Sequence, residues 1–131
     1  MKENSGFAYR IHVAATQLDT SMLLMGWLVK NGFYAQLATD TSSLGDPSRL
    51  PAAPEALLLD ESIGANLLVP VLKCVRSDPR WAKTVVICLG AFSEEREVNL
   101  FKAGADDVMA KPLRCNALVQ RMLRFLRTRY D

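Results

Sequence analysis

The chain has 131 residues, half of them apolar and 23% charged, with 16 Lys and Arg against 14 Asp and Glu. That length suits one domain with its own core, and the composition excludes a disordered or fibrous chain. A net charge of +2 gives no ground for nucleic-acid binding by charge alone.

Residues 1–8 read as a short extension ahead of a single domain over 9–131. Tyr9 to Ala15 is β-branched and alternating, which predicts a strand. Asp19 then offers an N-cap carboxylate before the apolar stretch Met22 to Val29, and Asn31-Gly32 ends that helix. Phe33 to Ala38 resumes as a strand. Asp40 to Pro54 is rich in Ser, Gly and Pro, so the second helix of the pattern is expected to be short, one or two turns around Thr41 to Leu44.

Ala56 to Leu59 is an uninterrupted apolar run ending in Asp60, as expected of a parallel strand buried on both faces. After a loop through Gly64, Pro70 fits the first turn of a helix that runs to about Ser77 and stops at Asp78-Pro79. Thr84 to Leu89 is a second fully apolar strand. Ser93 follows as N-cap with Glu94 and Glu95 in the first turn, and Gly104 closes the helix. Asp107 to Ala110 reads as a fifth strand, Lys111-Pro112 as a turn, and Arg114 to Arg129 as a last helix. On a helical wheel Leu118, Val119, Met122, Leu123, Phe125 and Leu126 share one arc, with Arg121, Arg124 and Arg127 opposite.

Five strands alternating with helices predict an α/β fold, a flavodoxin-like doubly wound sheet of parallel strands in the order 2-1-3-4-5. Cys74, Cys88 and Cys115 are widely spaced among apolar residues, which suits small buried side chains in a reducing compartment. With His12 as the single histidine, a zinc site has almost no ligands to draw on. No leader-like start and no long apolar run is present, so the expectation is a cytoplasmic protein without a membrane partner.

In such sheets chemistry collects beyond the carboxyl ends of the strands. From the residues alone, Asp60 and Lys111 either meet there as a carboxylate and an ammonium, or Asp60 caps a loop while Lys111 is a solvated turn residue. The segments LLLDESIG at 57–64 and KAGADDVMAKPL at 102–113, with the Thr84 to Ala91 strand, are similar in order and spacing to the receiver domain of two-component response regulators.

The resemblance implies that Asp60 stands at the phosphoacceptor position and that Lys111, followed by Pro112, is the lysine that pairs with it. It also exposes departures. The adjacent acidic pair that holds Mg²⁺ in that family is replaced by Ala15 and Thr16. The hydroxyl residue at the end of the fourth strand is Gly90, the aromatic of the fifth strand is Val108, and the proline after the acceptor is Gly64. Asp19 and Glu61 are near in sequence but do not obviously replace the acidic pair.

The pattern therefore resembles a degenerate receiver, or pseudoreceiver. It is expected to act as a phosphorylation-independent interaction module, not an enzyme, with no cofactor and weak or absent Mg²⁺ binding. The alternative keeps phosphorylation of Asp60 by a sensor kinase or phosphotransfer protein. A flavin- or nucleotide-binding enzyme on the same fold would lack a Gly-rich loop after the first strand. The first helix, with Leu23 and Trp27, either docks a kinase, phosphotransfer or effector protein or is covered by neighbouring helices. Arg121 and Arg124 either meet Glu94, Glu95 and Glu97 of a second copy in a homodimer or form a solvated basic face, without direct nucleic-acid contact.

Overall fold

The computed structural model describes residues 9–38 and 52–131. Five strands form one parallel sheet: β1 (Arg10–Ala14), β2 (Tyr34–Ala38), β3 (Ala56–Asp60), β4 (Val85–Leu89) and β5 (Asp107–Met109), in the order β2-β1-β3-β4-β5. The expected strand order is thus the observed one. Four helices accompany the sheet among the described residues: α1 (Leu18–Lys30), α2 (Leu68–Ser77), α3 (Glu94–Ala103) and α4 (Cys115–Tyr130). The short helix expected at 41–44 and the extension 1–8 lie outside the described residues.

Every residue of β3 and β4 is buried, because these central strands are covered on both faces and must be apolar on both. On one face Leu24 and Leu28 of α1 pack with Leu118, Val119, Met122 and Leu126 of α4 against Ile11, Val13, Leu58 and Ile87. On the other, Leu68, Leu72 and Val75 of α2 and Leu100 of α3 pack against Leu57, Leu59, Val86 and Cys88, with Trp81 fully enclosed. The arc of α4 read from its sequence is the face that enters the core, with Leu123 and Phe125 at its edge.

Several local expectations need correction. Gln17, not Asp19, precedes α1, and no side chain caps its first turn; Asp19 lies inside that turn, where its carboxylate complements the helix dipole. The loop through Gly64 is organised as two 3-10 turns, Glu61–Ile63 and Ala65–Leu67, joined at Gly64 with φ +123°. Pro70 does fall in the first turn of α2. Cys88 is buried, but Cys74 and Cys115 are only half-buried, since both sit on helix positions at the margin of the core.

The base of the sheet is tied by Asp106. Its carboxylate accepts from Arg76 of α2 at 2.9 Å, from Arg129 of α4 and from the Val86 N–H at 2.8 Å. Arg76 also donates to the carbonyls of Gly104 and Thr84, so one cation fastens α2 to the strand ends opposite the functional rim.

Candidate functional site

The parallel register sets Asp60 beside Leu89, and Leu89 beside Met109. The next residues of each strand, together with Ala15 and Thr16 after β1, therefore leave the sheet at one rim. This register is the reason that residues 30, 46 and 51 positions apart in the chain meet, as Glu61 with Ala91, Thr16 with Ser62 and Asp60 with Lys111.

Asp60 is the chemical centre of the rim. It is fully buried at 0% exposure, while the Lys111 side chain keeps 23%. The Lys111 ammonium lies 2.8 Å from Asp60 Oδ1, and the Ser62 N–H donates to Oδ2 at 3.0 Å. Both readings of Asp60 from the sequence thus hold at once: one oxygen caps the 3-10 turn, and the other pairs with the lysine. Removing a carboxylate from water is expensive, and an opposite charge with a hydrogen bond on the second oxygen offsets it. Lys111 is joined to Pro112 by a cis peptide bond.

The two positions that replace the family's metal-binding acidic pair are used differently from each other. Ala15 is buried in the core and brings no donor atom. Thr16 is exposed; its Oγ1 donates to the Ser62 carbonyl at 2.6 Å, and its N–H donates to Ser62 Oγ at 2.9 Å. These two hydrogen bonds strap the loop after β1 to the turn after β3. Mg²⁺ asks for near-octahedral oxygen coordination, usually anchored by carboxylates. Here both carboxylates at the rim are engaged, Asp60 with the Lys111 ammonium and Glu61 with the Ala91 N–H, and the threonine hydroxyl and Ser62 carbonyl are engaged with each other. This donor set does not fit Mg²⁺.

At the β4 end, Gly90 is buried and its N–H donates to the Met109 carbonyl at 3.0 Å. Its missing side chain is replaced in space by Glu61, whose Oε2 accepts from the Ala91 N–H. A Cβ on Gly90 would stand 1.8 Å from that oxygen. In the sequence Gly90 reads as a lost hydroxyl, and Glu61 as a residue near the acceptor that does not obviously replace the acidic pair. The glycine was a signal of close approach, but its partner is a backbone N–H thirty residues away, which no spacing rule announces. Val108 is half-buried and packs with the core cluster under α2 and α3.

The NtrX structure from Brucella abortus in complex with ADP superposes with a TM-score of 0.77 at 25% identity, covering 93% of this chain and 27% of that one. The receiver domain of the sensor histidine kinase PA1611 from Pseudomonas aeruginosa PAO1 superposes with a TM-score of 0.78 at 20% identity, covering 92% of this chain and 98% of that one. The chain has the fold of a response-regulator receiver domain. No family model matches it. Protein RcaC of Microchaete diplosiphon is 30% identical over 91 residues, 65% of this receiver-fold chain but only 14% of the RcaC length. The PA1611 receiver was solved with a magnesium ion coordinated in its active-site cleft.

The surface candidates separate. On α1, Leu18, Met22, Leu23 and Val29 are exposed, Leu18 at 72% and Met22 at 66%. Trp27 is not part of that open face; it is half-buried against the core under α1 and α4, with the Lys30 ammonium 5.1 Å from its ring centroid. On α4, Arg121 is partnered within the chain, 3.3 Å from the Asp107 carboxylate. Arg124 is exposed. No helix among the described residues is long and apolar enough to cross a membrane.

Proposed function

We propose that this receiver-fold domain works as a protein-interaction module in two-component signalling whose conformation does not depend on phosphorylation. One observation carries the reading: the polar groups named at the rim are engaged with one another, Asp60 Oδ1 through the Lys111 charge without an aligned hydrogen bond and the others through hydrogen bonds. Lys111 and the Ser62 N–H serve Asp60, Thr16 serves Ser62, and the Ala91 N–H serves Glu61. A phosphoryl group arriving at Asp60 would find its pairing lysine engaged and no acidic pair to hold a cation. In phosphoryl transfer the metal neutralises developing charge, so its loss removes a main source of rate. The domain is accordingly read as non-enzymatic.

The exposed apolar face of α1, with Met22 and Leu23 at its centre, is the surface offered to a protein partner, since Met adapts its shape and Leu adds apolar area. A sensor kinase, a phosphotransfer protein or an effector in the cytoplasm are the partners the resemblance implies. A membrane or nucleic acid is not required by any part of this reading.

The test is incubation with acetyl phosphate and Mg²⁺, followed by intact-mass measurement. The reading predicts no adduct beyond that of an Asp60→Asn control. A stoichiometric phosphoryl adduct that vanishes in Asp60→Asn overturns it and supports a working phosphoacceptor, the role that the Asp60–Lys111 pair would then serve.

A further inference from the structure

Gly90 is free of backbone strain: it is not among the glycines with positive φ. Nothing in its own conformation requires glycine. What requires it is Glu61. A Cβ at position 90 would lie 1.8 Å from Glu61 Oε2, 2.7 Å from its Cδ and 2.7 Å from Phe92 Cζ, all far inside van der Waals contact. The carboxylate fills the volume of the absent side chain and accepts the Ala91 N–H at the end of β4.

This places two carboxylates from neighbouring residues at one rim. Like charges so close repel, and each needs its own compensation. Asp60 has the Lys111 ammonium; Glu61 has the Ala91 N–H and is half-buried. The pairing is divided between the strands on that side of β3: Asp60 reaches the end of β5 and Glu61 the end of β4.

We propose that Glu61 is a built-in anion that occupies the Gly90–Ala91 end of the site and excludes external oxyanions from it. The inference rests on the reading of a closed rim and names the residue that closes this part of it. A tethered ligand competes with a free one without any dilution in solution. If the latched state is the dominant one, an external oxyanion sees an affinity reduced by the small open fraction. The glycine and the glutamate form one device: either substitution, Glu61→Ala or Gly90→Ala, unlatches it. In the second case the displaced groups are the Glu61 carboxylate and the tip of the Phe92 ring, both far ends of side chains and neither of them backbone.

The experiment follows amide resonances of the full chain in ¹⁵N–¹H spectra, first for hydrogen exchange and then during titration with inorganic phosphate. In the unsubstituted protein the Ala91 amide is expected to be protected and unmoved by phosphate. In both Glu61→Ala and Gly90→Ala, Ala91 should exchange about tenfold faster. In Glu61→Ala, phosphate should produce saturable shifts at Ala91 and Lys111, with affinity at least about tenfold above the unsubstituted protein. Unchanged Ala91 exchange in both variants, or equal phosphate affinity with and without Glu61, overturns the proposal. The acetyl phosphate test is separate: an adduct on the unsubstituted chain defeats the closed-site reading, whereas silent variants in the phosphate titration defeat only the role of Glu61.

Discussion

Replacing Lys111 by Met probes the buried pair most sharply. Asp60 is at 0% exposure and, beyond Lys111, has the Ser62 N–H as its hydrogen-bond donor. Lys111→Met leaves that carboxylate buried with its ammonium gone, a situation that costs about 3–5 kcal/mol. Against a total stability of about 5–15 kcal/mol for a domain, this is a large fraction. For a chain of this length it corresponds to a melting temperature lower by about 10–20 °C. The reverse change is milder. In Asp60→Asn the lysine side chain, already 23% exposed, turns to water, and the amide still accepts the Ser62 N–H, for a loss of about 1 kcal/mol.

The double variant Asp60→Asn/Lys111→Met leaves no buried charge and should be more stable than Lys111→Met alone, giving a coupling of about 2 kcal/mol or more. Urea unfolding of the four proteins measures each term. A loss below about 1 kcal/mol for Lys111→Met, or strict additivity in the double variant, would refute the claim that the pair is a buried, mutually compensating unit.

Asp106→Ala removes the acceptor shared by Arg76, Arg129 and the Val86 N–H and should cost about 2–4 kcal/mol, read as a lower urea midpoint with an unchanged slope. Gly104→Ala should lower stability by roughly 1–3 kcal/mol, read as a lower melting temperature, because φ is +122° and a Cβ would lie 2.5 Å from Arg76 Cγ. Gly26→Ala, inside α1 with nothing within 4 Å of the added carbon, should raise stability by about 0.5–1 kcal/mol, and calorimetry separates the two signs. Burial, then the charge of Arg10, lowers the His12 pKa below its ordinary 6.5. The charged imidazole is therefore disfavoured in the folded state. The stability this contributes is present above pH 6.5 and is lost as pH falls through the lowered value, which an NMR titration of the ring protons and melting curves at acid pH will follow.

The fold was legible where burial writes itself directly into residue type. The apolar runs 56–59 and 84–89 mark strands covered on both faces, and with the helical periods between them they lead to the 2-1-3-4-5 sheet. The strands left the Asp60–Lys111 pair open; the likeness of LLLDESIG and KAGADDVMAKPL to receivers named it, and the parallel register brings the two together because Asp60 ends β3 and Lys111 follows the end of β5 at the same rim. The remainder of the site was not legible, for a common physical reason. The Glu61 carboxylate and the Thr16 hydroxyl are held by backbone groups of Ala91 and Ser62, and a backbone N–H or carbonyl carries no mark in the sequence. Trp27 stayed open between docking and cover because a helix with apolar residues on nearly every side does not reveal which of them its neighbours cover; the structure shows it covered. Asp106 was part of the recognised motif, yet its role at the base of the sheet depends on Arg76 and Arg129, which the helices bring in from distant positions.

The central claim is that the rim is closed by its own side chains. It is tested most directly by amide spectra of the labelled domain recorded with Mg²⁺ and then with beryllofluoride, which mimics an aspartyl phosphoryl group. The account predicts resonances of Asp60, Gly90, Ala91 and Lys111 that stay in place through both additions. Saturable shifts centred on these four residues would contradict it and establish a receiver that responds to phosphorylation.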